Sequence, residues 1–253
     1  MMLCLDIGNS RVKAGLFQAE RLVARFERDT GLLTRPADWA NWLRSGLDQR
    51  QLSPQSISAI RSCSVVPDRQ PALEAACLEL FEQAPLFLEA STQHALRLDY
   101  RDPGQLGPDR IAAAIGACRR WPDEDLIMVG CGTALTFCCI DAERRHLGGV
   151  ITAGPGLIAR ALHTGTGRLP QVVFEANPPL LGRCTESSMR SGLYFGLLGQ
   201  IREISGRLKA QCFPDRQARL IGTGGYAAAL HTLALFDHIE PDLALIGLSA
   251  VTN

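Results

Sequence analysis

The feature that most constrains this chain is a local pattern that occurs twice. "CLDIGNSRVKAGLF" can be laid on "IMVGCGTALTFCCI", so that Asp6, Gly8, Asn9 and Ser10 face Gly130, Gly132, Thr133 and Ala134. Each copy is an apolar strand, a turn with glycine at its third place, and a returning apolar strand. Glycine lets backbone N–H groups approach an anion closely. Two such copies are what a duplicated αβ domain with two phosphate loops would leave, and they place a boundary near 120–125. The expected halves are residues 1–122 and 123–253.

The other elements follow from periodicity and punctuation. Helical spacing covers 37–47, 68–83, 108–121 and roughly 186–210, and a further helix opens at Pro155. Strands are expected at 56–66, 86–90, 148–154 and within 218–225, the last followed by a helix at "YAAAL". The segment 241–251 closes the chain.

Composition narrows the class. Basic and acidic residues number 26 each, so nothing favours a generic nucleic-acid or acidic-membrane binder. At 46% hydrophobic residues the chain can build a real core. The nine cysteines contain no CxxC pair and are expected as buried packing residues in a reducing compartment. The N-terminus lacks a signal-peptide pattern, and the apolar run 126–140 is too short to span a membrane. A cytoplasmic protein with no membrane or nucleic-acid partner is the expectation. The Walker pattern and GxSxG are absent, and the five histidines have no metal-ligand spacing.

Four stretches carry possible chemistry. In "DIGNSRVK", residues Asp6 to Lys13, Asn9 and Ser10 add donors, Lys13 could reach a phosphate, and Asp6 could hold Mg²⁺ through water. The competing reading is a plain hairpin with an Asx-type turn. "GTGG" (222–225) suits a base or ribose against bare backbone, and equally an ordinary glycine turn. "GGVITAGPG" (148–156) offers glycines before a helix N-terminus. In "LGPDRIAAA", Asp109 and Arg110 fall in the first turn of a helix. Helix capping explains an acid there. The alternative is that Asp109 accepts a proton from a substrate hydroxyl and Arg110 binds a substrate anion.

Taken in order, "DIGNSRVK", "SVVP", "YRDPGQLGPDR", "CGTALT", "GGVITAGPGL", "LP", "CTESSMRSG" and "TGGYA" resemble the type III pantothenate kinases. That family lies in the acetate and sugar kinase/Hsp70/actin superfamily. The resemblance implies duplicated ribonuclease H-like (actin-like ATPase) domains, α/β in class, with mixed sheets flanked by helices. It implies ATP-dependent phosphorylation of pantothenate to 4'-phosphopantothenate, the first step of coenzyme A biosynthesis. It places Asp6, Ile7, Gly8, Asn9, Ser10, Arg11, Val12, Lys13 and Thr133 at the ATP phosphates. Thr223, Gly224 and Gly225 would lie by the adenosine. Tyr100, Gly107, Pro108, Asp109, Arg110 and Thr185 would line the pantothenate pocket, with Asp109 as general base. Mg²⁺, a monovalent cation (potassium or ammonium) and a homodimer are implied as well.

One position departs from that pattern. Many members read "DxGTA" where this chain reads "GCGTA", and the acid at that place is associated with the monovalent cation. Here it is Gly130. The cation could be held by backbone carbonyls and water, dispensed with, or lost together with activity. A non-catalytic relative acting as a regulatory or accessory protein is the alternative that Gly130 supports.

Overall fold

The first copy of the pattern folds into a hairpin. Strands β1 (Met2–Ile7) and β2 (Arg11–Gln18) pair antiparallel, from Met2 opposite Phe17 to Ile7 opposite Val12. The structure, a computed structural model, describes residues 1–251. Strand β3 (Arg21–Asp29) adds antiparallel to β2. No strand was expected there. Its alternation half-buries Leu22, Ala24 and Phe26 and exposes Arg21, Arg25 and Glu27, the charged habit of an edge strand. Strand β4 (Ala59–Ser64) runs parallel to β1, and β5 (Leu86–Phe87) parallel to β4, giving the order β3-β2-β1-β4-β5.

Helix α1 (Pro36–Asp48) starts with proline at its first position, and Asp38 accepts the Arg35 N–H at 2.9 Å. It buries Trp39, Trp42, Leu43, Gly46 and Leu47, a stripe at helical spacing. These side chains pack with Leu5, Ile7 and Val12 of the sheet and with Leu73 and Cys77 of α2 (Gln70–Phe81). The short strand β6 (Arg97–Leu98) precedes α3 (Pro108–Arg120).

The second copy gives a sheet built the same way. Strands β7 (Asp125–Cys131) and β8 (Ala134–Ile140) pair antiparallel, and β9 (Arg145–Ala153) adds antiparallel to β8. Strand β10 (Ala218–Thr223) runs parallel to β7, and the two-residue β11 (His238–Ile239) parallel to β10. The order β9-β8-β7-β10-β11 therefore repeats β3-β2-β1-β4-β5, strand direction included. Helix α4 (Pro155–Thr164) opens at the expected proline, and α5 (Thr185–Cys212) is the expected long helix. Tyr194, Leu197, Leu198 and Ile201 of α5 pack on Val129, Leu135 and Phe137. The helix expected at "YAAAL" is instead a 3-10 turn over Ala228–Leu233, ended by Ala234 in the left-handed conformation.

The last helix corrects the expected halves. Helix α6 (Leu243–Ala250) packs on α3, so the described residues divide into Met1–Pro122 with Asp242–Val251, and Asp123–Pro241. The reason is backbone-to-backbone contact: a Cβ on Gly247 would lie 1.7 Å from the Ala112 carbonyl oxygen. One on Gly116 would lie 2.1 Å from the Leu243 carbonyl oxygen. Overpacked cores lose about 1–3 kcal/mol, and rigid backbone cannot step aside. Gly247→Ala is therefore expected to destabilise the protein by at least that much in urea denaturation; an unchanged midpoint would contradict the close packing. Among the described residues no helix is long and apolar enough to cross a membrane.

Candidate active site

The first turn is held by its backbone. The Gly8 N–H donates to the Arg11 carbonyl at 3.0 Å. From the far end of β3, the Thr30 hydroxyl donates to the Gly8 carbonyl at 2.7 Å and its N–H to the Ser10 carbonyl at 3.1 Å. Asn9, Ser10 and Arg11 are left exposed at the tip. Ile7 and Val12, expected among the nucleotide residues, are fully buried in the core and seat the turn from below.

Asp6 is the penultimate residue of β1. It lies in register between Lys13 on β2 and Cys63 on β4, and the Cys63 thiol donates to its Oδ1 at 3.6 Å. Burial pushes the Asp6 carboxyl up to about 6. Lys13 and the Cys63 thiol pull it back, while the Asp109 and Asp242 carboxylates push it further.

Asp109 stands in the first turn of α3, just after Gly107 at the N-cap and Pro108. Burial raises its pKa; the Arg110 N–H, the Arg110 guanidinium and the Asp109 N–H oppose this. Its carboxylate stands in the first turn, where the helix dipole favours an acid, and makes no side-chain cap bond, so desolvation dominates. Arg110 is 7% exposed, with its guanidinium carbon 6.0 Å from the Tyr100 ring centroid. The structure therefore brings Asp6, Lys13, Asp109, Arg110 and Tyr100 into the first unit, with Asp6 and Asp109 near enough to feel each other's charge.

Asp242 was not found in the sequence. It is 9% exposed before α6 and pairs with Arg25 at 2.9 Å. The available signal was "PD" immediately before an apolar helical run.

The second turn is built on the same plan and is one residue shorter. The Gly132 N–H donates to the Ala134 carbonyl at 3.0 Å. Gly130, penultimate in β7, lies between Thr136 on β8 and Thr223 on β10. The backbone of Gly154 rests on this turn, donating to the Thr133 carbonyl at 3.0 Å. Gly224 rests on it from β10: its φ is +87°, and a Cβ there would lie 2.7 Å from the Cys131 carbonyl oxygen. A side chain is thus excluded at 224 by both conformation and space. Thr133, Thr223, Gly224 and Gly225 therefore gather around Gly130–Gly132.

Thr185 is the first residue of α5 and lines a cavity of about 800 Å³ with Arg183, Cys184, Leu162 and Met189. Seven of the nine cysteines are buried as expected; Cys212 is half-buried and Cys184 is exposed. Cys184 is not a packing residue because it begins a helix, where the Ser187 hydroxyl sits 3.2 Å from its sulfur and lowers its pKa. Iodoacetamide is expected to alkylate Cys184 first; faster labelling of any buried cysteine by peptide mass mapping would contradict the fold there. Among the described residues no cluster of three or more His, Cys, Asp or Glu could hold a metal ion by itself.

Two sheets of one strand order, each with a glycine turn between its first two strands, define the actin-like ATPase and sugar-kinase fold. An activator of the 2-hydroxyisocaproyl-CoA dehydratase from Clostridium difficile, solved with bound ADPNP, superposes with TM-score 0.54 at 13% identity, covering 98% of this chain and 92% of that one. The Acidaminococcus fermentans (R)-2-hydroxyglutaryl-CoA dehydratase component A gives 0.53 at 15%, covering 98% and 94%. At such identities the likeness concerns the fold alone. The chain itself belongs to the type III pantothenate kinase family, whose model matches residues 2–207. A type III pantothenate kinase of Legionella pneumophila (strain Paris) is 37% identical over 255 residues, spanning 100% of this chain and 99% of the relative.

Proposed function

We propose that this protein transfers the γ-phosphoryl group of ATP to the primary hydroxyl of pantothenate, giving 4'-phosphopantothenate and ADP in the first step of coenzyme A biosynthesis. The observation that carries this is half-buried Asp109 next to buried Arg110 in the first turn of α3, in the unit that also holds Asp6 and Lys13. Asp109 accepts the hydroxyl proton as that oxygen attacks the γ-phosphorus and the bond to the β,γ-bridging oxygen breaks. A raised pKa makes it a stronger acceptor than an exposed carboxylate. Arg110 binds the pantothenate carboxylate, and the Tyr100 ring beneath the guanidinium holds its plane. Gly107 and Pro108 border the same substrate.

The phosphates bind at Gly8, Asn9, Ser10, Arg11 and Lys13. The adenosine lies by Thr223, Gly224 and Gly225. Such transfer asks the protein mainly for positioning and charge neutralisation. Mg²⁺ suits this donor set, since it takes one or two carboxylates and completes its shell with waters and substrate phosphates. Asp6 would supply the carboxylate that holds the ion, whose chemistry when bound would be neutralisation of charge on the phosphate oxygens. A cytoplasmic homodimer completes the proposal.

A substrate panel tests the specificity. With ATP and Mg²⁺, ADP release is expected with pantothenate and at background level with sugars or sugar acids. Preference for a sugar acid would move the assignment to another kinase of this fold.

A further inference from the structure

Because the two units share one strand order, their turns compare position by position. In the first, Asp6 sits between Lys13 and Cys63; in the second, Gly130 sits between Thr136 and Thr223. Each is the penultimate residue of its strand and stands two before its turn glycine. The carboxylate–ammonium pair of the first turn is thus replaced by a glycine flanked by threonines, and Thr136 is the counterpart of Lys13.

The place beside Gly130 is already filled. A Cβ built on Gly130 would lie 2.5 Å from the Thr136 hydroxyl oxygen. No carboxylate could be seated at 130 with Thr136 as it stands. The adjoining carbonyls are engaged as well: Cys131 accepts from the Tyr226 N–H, Thr133 from Gly154 and Ala134 from Gly132, each at 3.0 Å. The Cys131 thiol is fully buried, with its pKa pushed up to about 12 by burial, and is a soft ligand.

A potassium ion gives up its hydration shell only to a ring of oxygens with adequate field strength. This turn offers the neutral hydroxyls of Thr133, Thr136 and Thr223, no carboxylate, and three carbonyls that already accept N–H groups, a donor set that does not fit the cation implied by the family resemblance. We infer that the second turn takes no monovalent cation, and that the Thr136 hydroxyl, in the register place of Lys13, serves there as a neutral donor to the nucleotide. This rests on the kinase reading above.

Nucleotide binding tests it without turnover. The affinity for Mg·ADP is measured by calorimetry in potassium chloride and in tetramethylammonium chloride at equal ionic strength, and thallous ion is titrated by ²⁰⁵Tl NMR. The expected result is one affinity in both salts and no saturable thallium signal. Thr136→Val, of the same shape, is expected to weaken Mg·ADP binding roughly tenfold, as loss of a hydrogen bond to a charged group does. Potassium-dependent affinity or saturable thallium binding in the wild type would overturn the cation-free site. Unchanged affinity in Thr136→Val would overturn the role of its hydroxyl. No Mg·ADP binding in either salt would overturn the kinase reading itself.

Discussion

Asp109→Asn is expected to lower kcat by about 10²- to 10⁴-fold, the range a positioned general base contributes, while the protein stays folded. The substitution keeps the shape of the side chain and removes only its capacity to take a proton. The Arg110 N–H donates to the Gly107 carbonyl at 3.0 Å, a bond the substitution leaves in place, so the start of α3 is retained. The pH profile separates the chemical role from the capping role. Burial raises the Asp109 pKa, so the acidic limb of kcat/KM in the wild type falls above the usual carboxylate range. The part of that limb owed to Asp109 disappears in Asp109→Asn, and the part owed to Asp6 stays, so the limb becomes less steep. A variant with near-wild-type turnover, or one whose acidic limb is unchanged in steepness, would remove Asp109 from the proton transfer.

Asp6→Asn is expected to divide activity from stability. Turnover falls, since the variant loses the carboxylate assigned to Mg²⁺. Stability rises, because Asp6 is a group that folding desolvates. Its pKa moves from 3.8 in the unfolded chain to about 6 in the native state, a difference equivalent to at most about 3 kcal/mol at neutral pH. The sign follows from proton counting. Below the unfolded value both states are protonated and Asp6 costs nothing. Between the two values the unfolded chain loses its proton while the native state keeps it, so wild-type stability falls as pH rises. Above about 6 the penalty is complete. The gain in Asp6→Asn is therefore largest at pH 7 and vanishes near pH 4, measured by denaturant midpoints across that window. A variant less stable than wild type at pH 7 would show that Lys13 and the Cys63 thiol outweigh burial.

What the sequence made legible was local or repeated. The two hairpins, the proline-led starts of α3 and α4, and the long α5 follow from apolar period and helix punctuation. Strand β3 was hidden because its exposed positions hold arginine and glutamate, so it lacks the apolar run of β1 and β2. Strand β11 has two residues, too few for any period to register. The return of α6 to the first unit depends on contact between Gly116 and Gly247 neighbourhoods, far apart in the chain and alike in having no side chain. The one-residue difference between the turns is likewise settled by strand register, since Asp6 pairs with Lys13 but Gly130 with Thr136. At the site, residue types were readable and their environments were not. Whether Asp109 caps or reacts turns on its desolvation, and the neighbourhood of Asp242 and Asp6 exists only once α6 has docked.

The most direct test is to incubate the purified protein with ATP, Mg²⁺ and pantothenate and follow the products by mass spectrometry and ³¹P NMR. The expected result is ADP and a singly phosphorylated pantothenate carrying a phosphomonoester on its primary hydroxyl, formed in equal amounts. Folded protein that binds Mg·ADP yet yields no phosphopantothenate would contradict the account and leave a nucleotide-binding regulatory protein in its place.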